Sequence, residues 1–134
     1  MSMPRRVTAA VIIRDNRVLL ARRAPDQSNA GMWEFPGGKV EAGESDKSCL
    51  MREMYEEFGV TGRTLQPVCE SLYVYGAQGQ AILLCAYVFE RLEGEFELRV
   101  HDAICWADAQ ELVKMALSPA DVPIAQRVAN DFLK

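Results

Sequence analysis

Histidine is almost missing from this chain: His101 is the single one in 134 residues. Cysteine occurs four times, as Cys49, Cys69, Cys85 and Cys105, but never as a CxxC pair. One imidazole and four dispersed thiols do not make a zinc site, whose ligands come in closely spaced pairs. Each cysteine falls in an apolar or amphipathic segment, which predicts buried, reduced thiols. Positive charge is also short: 15 Lys and Arg stand against 19 Asp and Glu, for a net charge of −4 and a pI near 5.0. That balance argues against nucleic acid as a partner. It leaves room for a small phosphate ligand, because a metal can supply the positive charge. No apolar run approaches the ~20 residues of a membrane span. The N-terminal stretch MSMPRRVTAA has two arginines but lacks the apolar centre of a secretory leader, so no membrane association and a cytoplasmic location are expected. The remainder, 49% apolar and 25% charged, is globular in composition and long enough for one domain spanning 1–134.

Periodicity predicts the elements. Val7–Ile13 is a continuous apolar run with β-branched residues, hence a buried strand. Asp15-Asn16 marks a turn, and Arg17–Arg23 a second strand with Val18, Leu20 and Arg22 on one face and Leu19, Ala21 and Arg23 on the other. Residues 24–32 and 35–38 carry Pro, Gly, Asn and Ser and read as loops. A helix is expected over Asp46–Phe58, capped by Ser45 and ended by Gly59, with Cys49, Met51, Met54, Tyr55 and Phe58 on its apolar side. Thr64–Tyr75 and Ala81–Arg91 predict two long strands joined hairpin-fashion across Gly76–Gln80. A short strand is expected at Ala103–Ala107, then a helix from the capping box Asp108-x-x-Glu111 to about Leu117. The terminal helix opens near Asp121, itself a good N-cap, and turns Ile124, Val128, Phe132 and Leu133 inward. The fold class is α/β.

The chemistry is concentrated in residues 38–60, GKVEAGESDKSCLMREMYEEFGV. On a helix, Glu53, Glu56 and Glu57 share one face. Three like charges there repel one another, unless a hard divalent cation such as Mg²⁺ takes their oxygens together with substrate phosphates. The segment resembles the Nudix box: Gly38, Glu44, Arg52-Glu53, an apolar residue at 54, Glu56-Glu57, Gly59 and Val60 stand at the spacing of that signature. Met54 is a mild departure from the usual Ile, Leu or Val. Around the box, GMWEFPGGK (31–39) resembles the lead-in of MutT-type nucleoside triphosphate pyrophosphohydrolases, and SPADVP (118–123) resembles the nucleobase loop of their CTP pyrophosphohydrolase branch.

The resemblance implies a Nudix α/β/α sandwich with a mixed β-sheet, and Mg²⁺-dependent (alternatively Mn²⁺-dependent) cleavage of a (deoxy)nucleoside triphosphate to monophosphate and pyrophosphate. It implies that Gly37, Glu53, Glu56 and Glu57 hold the metal, with Glu53 also the general base, while Arg52, Lys39 and Glu44 complete the catalytic set. It assigns Arg23, Glu34, Phe35, Gln80 and Asp121 to the substrate. An ionised carboxylate at 121 accepts hydrogen bonds and suits the cytosine amino group, where enzymes specialised for 8-oxoguanine carry Asn; a protonated one also donates. Gln80 replaces a substrate-contacting Arg. A further catalytic Glu six residues before Trp106 is replaced by Val100, with Glu97, His101 and Asp102 as candidate substitutes. The expected task is nucleotide-pool sanitation by a monomer or homodimer, on cytidine-type or 8-oxo-dGTP substrates. Hydrolysis of a nucleoside diphosphate sugar or dinucleoside polyphosphate, and nucleotide sensing without turnover, are the alternatives.

Overall fold

A computed structural model describes residues 3–76 and 79–134. Strand β1 (Arg5–Val11) is followed by a short β2 (Ile13–Arg14), β3 (Arg17–Arg22), β4 (Trp33–Glu34), β5 (Gly37–Lys39) and helix α1 (Asp46–Phe58). The long strands β6 (Thr61–Tyr75) and β7 (Gln80–Glu93) come next, then β8 (Ala103–Ala107), the one-turn helix α2 (Ala109–Leu112), a 3₁₀ turn at Pro119–Asp121 and helix α3 (Val122–Asp131). The larger sheet has the order β5-β1-β7-β6. It is mixed: β1 and β7 run parallel, whereas β5 and β6 are antiparallel to their neighbours. A smaller antiparallel sheet is built on β3, which pairs with β2, β4 and β8. The hairpin expected across Gly76–Gln80 does join β6 to β7, but Ala77 and Gln78 at its tip lie outside the described residues, as do Met1 and Ser2.

Alternation along two strands sorts the core into layers. Ala9 and Val11 of β1, with Val18 and Leu20 of β3, pack with Ile124, Ala125 and Val128 of α3. The intervening Ala10, Leu19 and Ala21 pack with Leu50, Met54 and Phe58 of α1. Helices therefore cover both faces, and the period-2 reading of β3 accounts for the layering. Among the described residues no helix is long and apolar enough to cross a membrane.

Several expectations need correction. The first strand ends at Val11, and the Asp15-Asn16 turn takes positive φ at both residues (51° and 61°), the geometry of a tight hairpin. On α1, Met51 and Tyr55 are 37% and 56% exposed, and Leu50 fills the core in their place. The second helix stops at Leu112, not Leu117. Its would-be continuation is recruited by β4: the Trp33 amide donates to the Ala116 carbonyl at 2.8 Å and the Ser118 amide to the Trp33 carbonyl at 2.8 Å. Those bonds spend backbone groups that a longer helix would need. Asp121 does not cap α3; its side chain makes no capping bond there.

Candidate active site

The ends of α1 are set by local chemistry. The Ser45 hydroxyl accepts the Ser48 amide at 3.1 Å, and Gly59 closes the helix at φ 71° with its amide on the Tyr55 carbonyl at 2.9 Å. Between them the acidic face is organised by one cation. Arg52 donates twice to Glu44 (Nε–Oε2 2.7 Å, Nη2–Oε1 2.9 Å), once to Glu53 Oε1 at 2.8 Å, to both oxygens of Glu56 at 3.2 and 3.3 Å, and to the Lys39 carbonyl at 3.1 Å. The bidentate pair with Arg52 holds the Glu44 carboxyl well below its ordinary range, at about 2. Glu53 lies mostly covered and is shifted upward, because burial outweighs its Arg52 partner. Gly38 makes that position available: a Cβ at 38 would stand 2.3 Å from the Glu53 carboxyl carbon.

Glu57 is the member that Arg52 does not reach. Its Oε1 is buried without a hydrogen-bond partner, and burial, with the charges of Glu53 and Glu34, pushes its carboxyl up to about 8. An orphaned buried carboxylate oxygen surrounded by like charge is the environment a hard cation relieves. Among the described residues no three His, Cys, Asp or Glu side chains already converge as a closed ligand cage. The donor set, with its orphaned Glu57 oxygen, fits the divalent cation that the sequence pattern implies.

Of these groups Gly38, Glu53 and Glu57 line a cleft of about 1120 Å³ that also contains Gly37, Lys39, Arg23, Glu34, Phe35, Gln80 and Asp121, whereas Glu44 and Arg52 lie outside the lining. Glu56 is 52% exposed on its side chain and points outward, away from the lining. Across the cleft, the Asp121 carboxyl is buried and its Oδ2 accepts the Phe35 amide at 2.8 Å. Burial and then the Glu34 charge push Asp121 up to about 8. Phe35 is itself buried in the α3-side core, with only an edge available to the cleft. Arg23 donates to Glu34 at 3.0 and 3.2 Å through Nη1 and to the Ser28 carbonyl through Nε, while Nη2 makes only a 3.4 Å contact with the Ser28 hydroxyl.

Residues 3–128 match the family described as NUDIX domain. The chain belongs to that family. It is 36% identical over 120 residues to the CTP pyrophosphohydrolase of Escherichia coli (strain K12), covering 90% of this chain and 87% of that protein. It is 39% identical over 89 residues to the 8-oxo-dGTP diphosphatase of the same organism, covering 65% and 67%. The crystal structure of a MutT NUDIX hydrolase from Burkholderia pseudomallei superposes with a TM-score of 0.84 at 28% identity, over 95% of this chain and 99% of that one.

Within this NUDIX chain the segment before Trp106 departs from expectation. Glu97 pairs with Arg99 at 3.2 Å beside Gly59, and Asp102 pairs with Arg22 at 2.7 Å; neither lines the cleft. His101 does line it, and it is 6% exposed, not a surface histidine. Two features gave no local signal. Ser118 is buried in the cleft wall with its hydroxyl unpartnered. Asp46, noted only as an acidic first-turn residue, accepts Arg6 at 2.7 and 2.8 Å and the Tyr87 hydroxyl at 2.7 Å, tying the start of α1 to β1 and β7.

Proposed function

We propose that this chain hydrolyses (deoxy)nucleoside triphosphates to monophosphate and pyrophosphate with Mg²⁺ or Mn²⁺, on cytidine-type or 8-oxoguanine nucleotides, as a nucleotide-pool sanitiser. The observation that carries the reading is one cleft lined both by Glu53 and Glu57, the latter with an unsatisfied carboxylate oxygen, and by the buried Asp121. Glu53, Glu56, Glu57 and Gly37 would hold the metal, which when bound neutralises phosphate charge and polarises the phosphorus under attack.

Glu53 then takes the proton of the attacking water on a carboxylate oxygen, the general-base step. Its upward shift brings it nearer the working pH than a free glutamate. Arg52 fixes Glu53 through the 2.8 Å bond and holds Glu44 as the far side of the same clamp. Lys39 faces the cleft and offers its ammonium to the polyphosphate. Arg23, held by Glu34 and Ser28, contributes positive charge from a fixed place and anchors the 24–32 loop. Gln80 lines the cleft at the start of β7, where its amide is available to the substrate.

At neutral pH the buried Asp121 carries a proton, so it both donates and accepts. Cytosine presents N3 as acceptor beside the N4 amino donor; 8-oxoguanine presents O6 as acceptor beside a protonated N7. Both edges complement a carboxylic acid, whereas the O6/N7 edge of guanine presents two acceptors and only its O6/N1–H edge would fit. The test is a panel of CTP, dCTP, 5-methyl-dCTP, 8-oxo-dGTP, dGTP, an ADP-sugar and a dinucleoside polyphosphate with Mg²⁺, scored for pyrophosphate and monophosphate release. Turnover of cytidine or 8-oxoguanine triphosphates over dGTP supports the reading. Preferential cleavage of the ADP-sugar or dinucleotide, or binding without turnover, refutes it.

A further inference from the structure

Among the groups of the cleft that the reaction above does not use is the lone histidine. His101 sits in an irregular stretch between β7 and β8, yet it is buried. Its ring stacks on Phe58, the last residue of α1, with centroids 5.3 Å apart and planes 13° from parallel. Its Nε2 lies 2.9 Å from Glu34 Oε2. A carboxylate oxygen accepts, so the ring nitrogen facing it donates, and Nδ1 is left buried without a partner. Neither nitrogen is free to take a proton from water in the cleft: one is engaged and the other is sealed. In this geometry His101 has no ring nitrogen open to the cleft for the role of the glutamate absent at Val100.

The contacts instead make a chain. His101 bonds Glu34, Glu34 bonds Arg23 at 3.0 and 3.2 Å, and Arg23 holds the Ser28 carbonyl in the 24–32 loop. The Arg23 backbone carries the same loop through Met32 and Gly31, at 2.9 and 3.0 Å. Next to His101, Asp102 clamps Arg22 at 2.7 Å, so the segment is fastened to the end of β3 twice. We propose that His101 is a positioning residue: its Nε2–H fixes the Glu34 carboxylate, and through it Arg23 and the substrate loop, while its ring rests on the helix that carries Glu53 and Glu57. The substrate side and the catalytic helix are thereby held at one spacing. This assignment rests on the pyrophosphohydrolase reading for its kinetic consequence, though not for its geometry.

The test uses His101→Phe, which keeps the ring on Phe58 and removes the donor, His101→Gln, which restores one, Glu34→Gln, and the His101→Phe/Glu34→Gln pair. With the best triphosphate of the panel, His101→Phe should raise KM about tenfold, the size of a lost hydrogen bond to a charged group, with kcat changed far less. His101→Gln should recover most of that loss. In the Glu34→Gln background, His101→Phe should add less than about twofold, because the two act through one bond. A kcat loss of about three orders of magnitude at unchanged KM would make His101 the base and overturn the proposal. So would an unchanged KM, or full additivity with Glu34→Gln. If the wild type cleaves no triphosphate, the functional reading fails on its own, and amide exchange decides the positioning role. Exchange at the Arg23 and Gly31 amides, which make those two bonds, should quicken about tenfold in His101→Phe and return towards wild type in His101→Gln; equal rates in all three proteins would refute it.

Discussion

Replacing Gly38 with alanine should remove activity while sparing the fold, and the two glycines of the loop make a controlled pair. The added methyl would stand 2.3 Å from the Glu53 carboxyl carbon and 2.5 and 2.6 Å from its oxygens. Ordinary carbon contacts begin near ~3.5 Å, so the Glu53 carboxylate must retreat by about 1 Å. The obstruction is the far end of a rotatable side chain, so the fold yields without unfolding. The retreat, however, strains the 2.8 Å bond to Arg52 and shifts the proposed base from its water. A misplacement of that size lowers rates about 10²-fold. Gly37→Ala is different: its methyl would fall 1.9 Å from the Thr8 carbonyl oxygen, which is backbone of the neighbouring strand. That clash should unpair β5 from β1 and lower Tm. The assay is kcat with Mg²⁺ for the best substrate, together with thermal unfolding of both variants. Wild-type kcat in Gly38→Ala, or a Tm fall as large as in Gly37→Ala, would refute this account of why glycine stands at 38.

Glu53→Gln keeps the shape of the site and should lower kcat about 10²–10⁴-fold with an unchanged circular dichroism spectrum; near-normal turnover would remove Glu53 as the base. Asp121 predicts a pH effect whose sign follows from its raised value. The folded protein holds the proton up to about pH 8, while the unfolded chain releases it near its ordinary 3.8, so Asp121 destabilises increasingly as pH climbs between those limits. Asp121→Asn should therefore gain in relative Tm across that window, and its KM for a cytidine triphosphate should lose the rise expected in the wild type above pH 8; parallel Tm and KM profiles for the two proteins would refute the protonated state. Asp46 behaves oppositely. Its carboxyl is held low, first by Arg6, so its contribution is present above its unfolded value and disappears as pH falls through the folded one. Asp46→Asn should lose about 1 kcal/mol at neutral pH by chemical denaturation, discounted because Arg6 is 45% exposed on its side chain, and nothing at acid pH.

The parts of the molecule that were legible in the sequence are those governed by local rules. Helix α1 runs from Asp46 to Phe58 as its cap and terminating glycine require, and the period-2 alternation of β3 distributes its side chains to both cores. What escaped was decided by groups far apart in the chain. The helix expected to reach Leu117 yields its backbone to Trp33, about eighty residues upstream, and no helix propensity could announce that bond. Asp121 has the residue type and position of an N-cap, yet its oxygen goes to the Phe35 amide, 86 positions away. Arg23 has the charge for a phosphate, but the pairing of β3 with β4 sets Glu34 beside it. His101 carried too little sequence information, because a lone histidine in a loop gives no sign of being buried.

The acidic face of α1 was the strongest sequence signal, and the structure refines what it means. Repulsion among Glu53, Glu56 and Glu57 suggests a uniform demand for a cation. Arg52 divides that demand. It sits on Glu44, Glu53 and Glu56 at once, so those three carboxylates already have a positive partner in the free protein. Glu57 has none; it is the member whose oxygen is orphaned and whose carboxyl climbs to about 8. The arrangement separates two jobs that the sequence pattern merges. Arg52 orients three carboxylates in the free protein, and on the proposed reading Glu57 keeps a buried, unsatisfied oxygen for the metal. A face neutralised entirely by arginine would be more stable and would have no reason to take up a divalent ion. Leaving one buried carboxylate unpaired lowers the stability of the free protein and, on the proposed reading, leaves a place for a cation to be bound together with the substrate's phosphates.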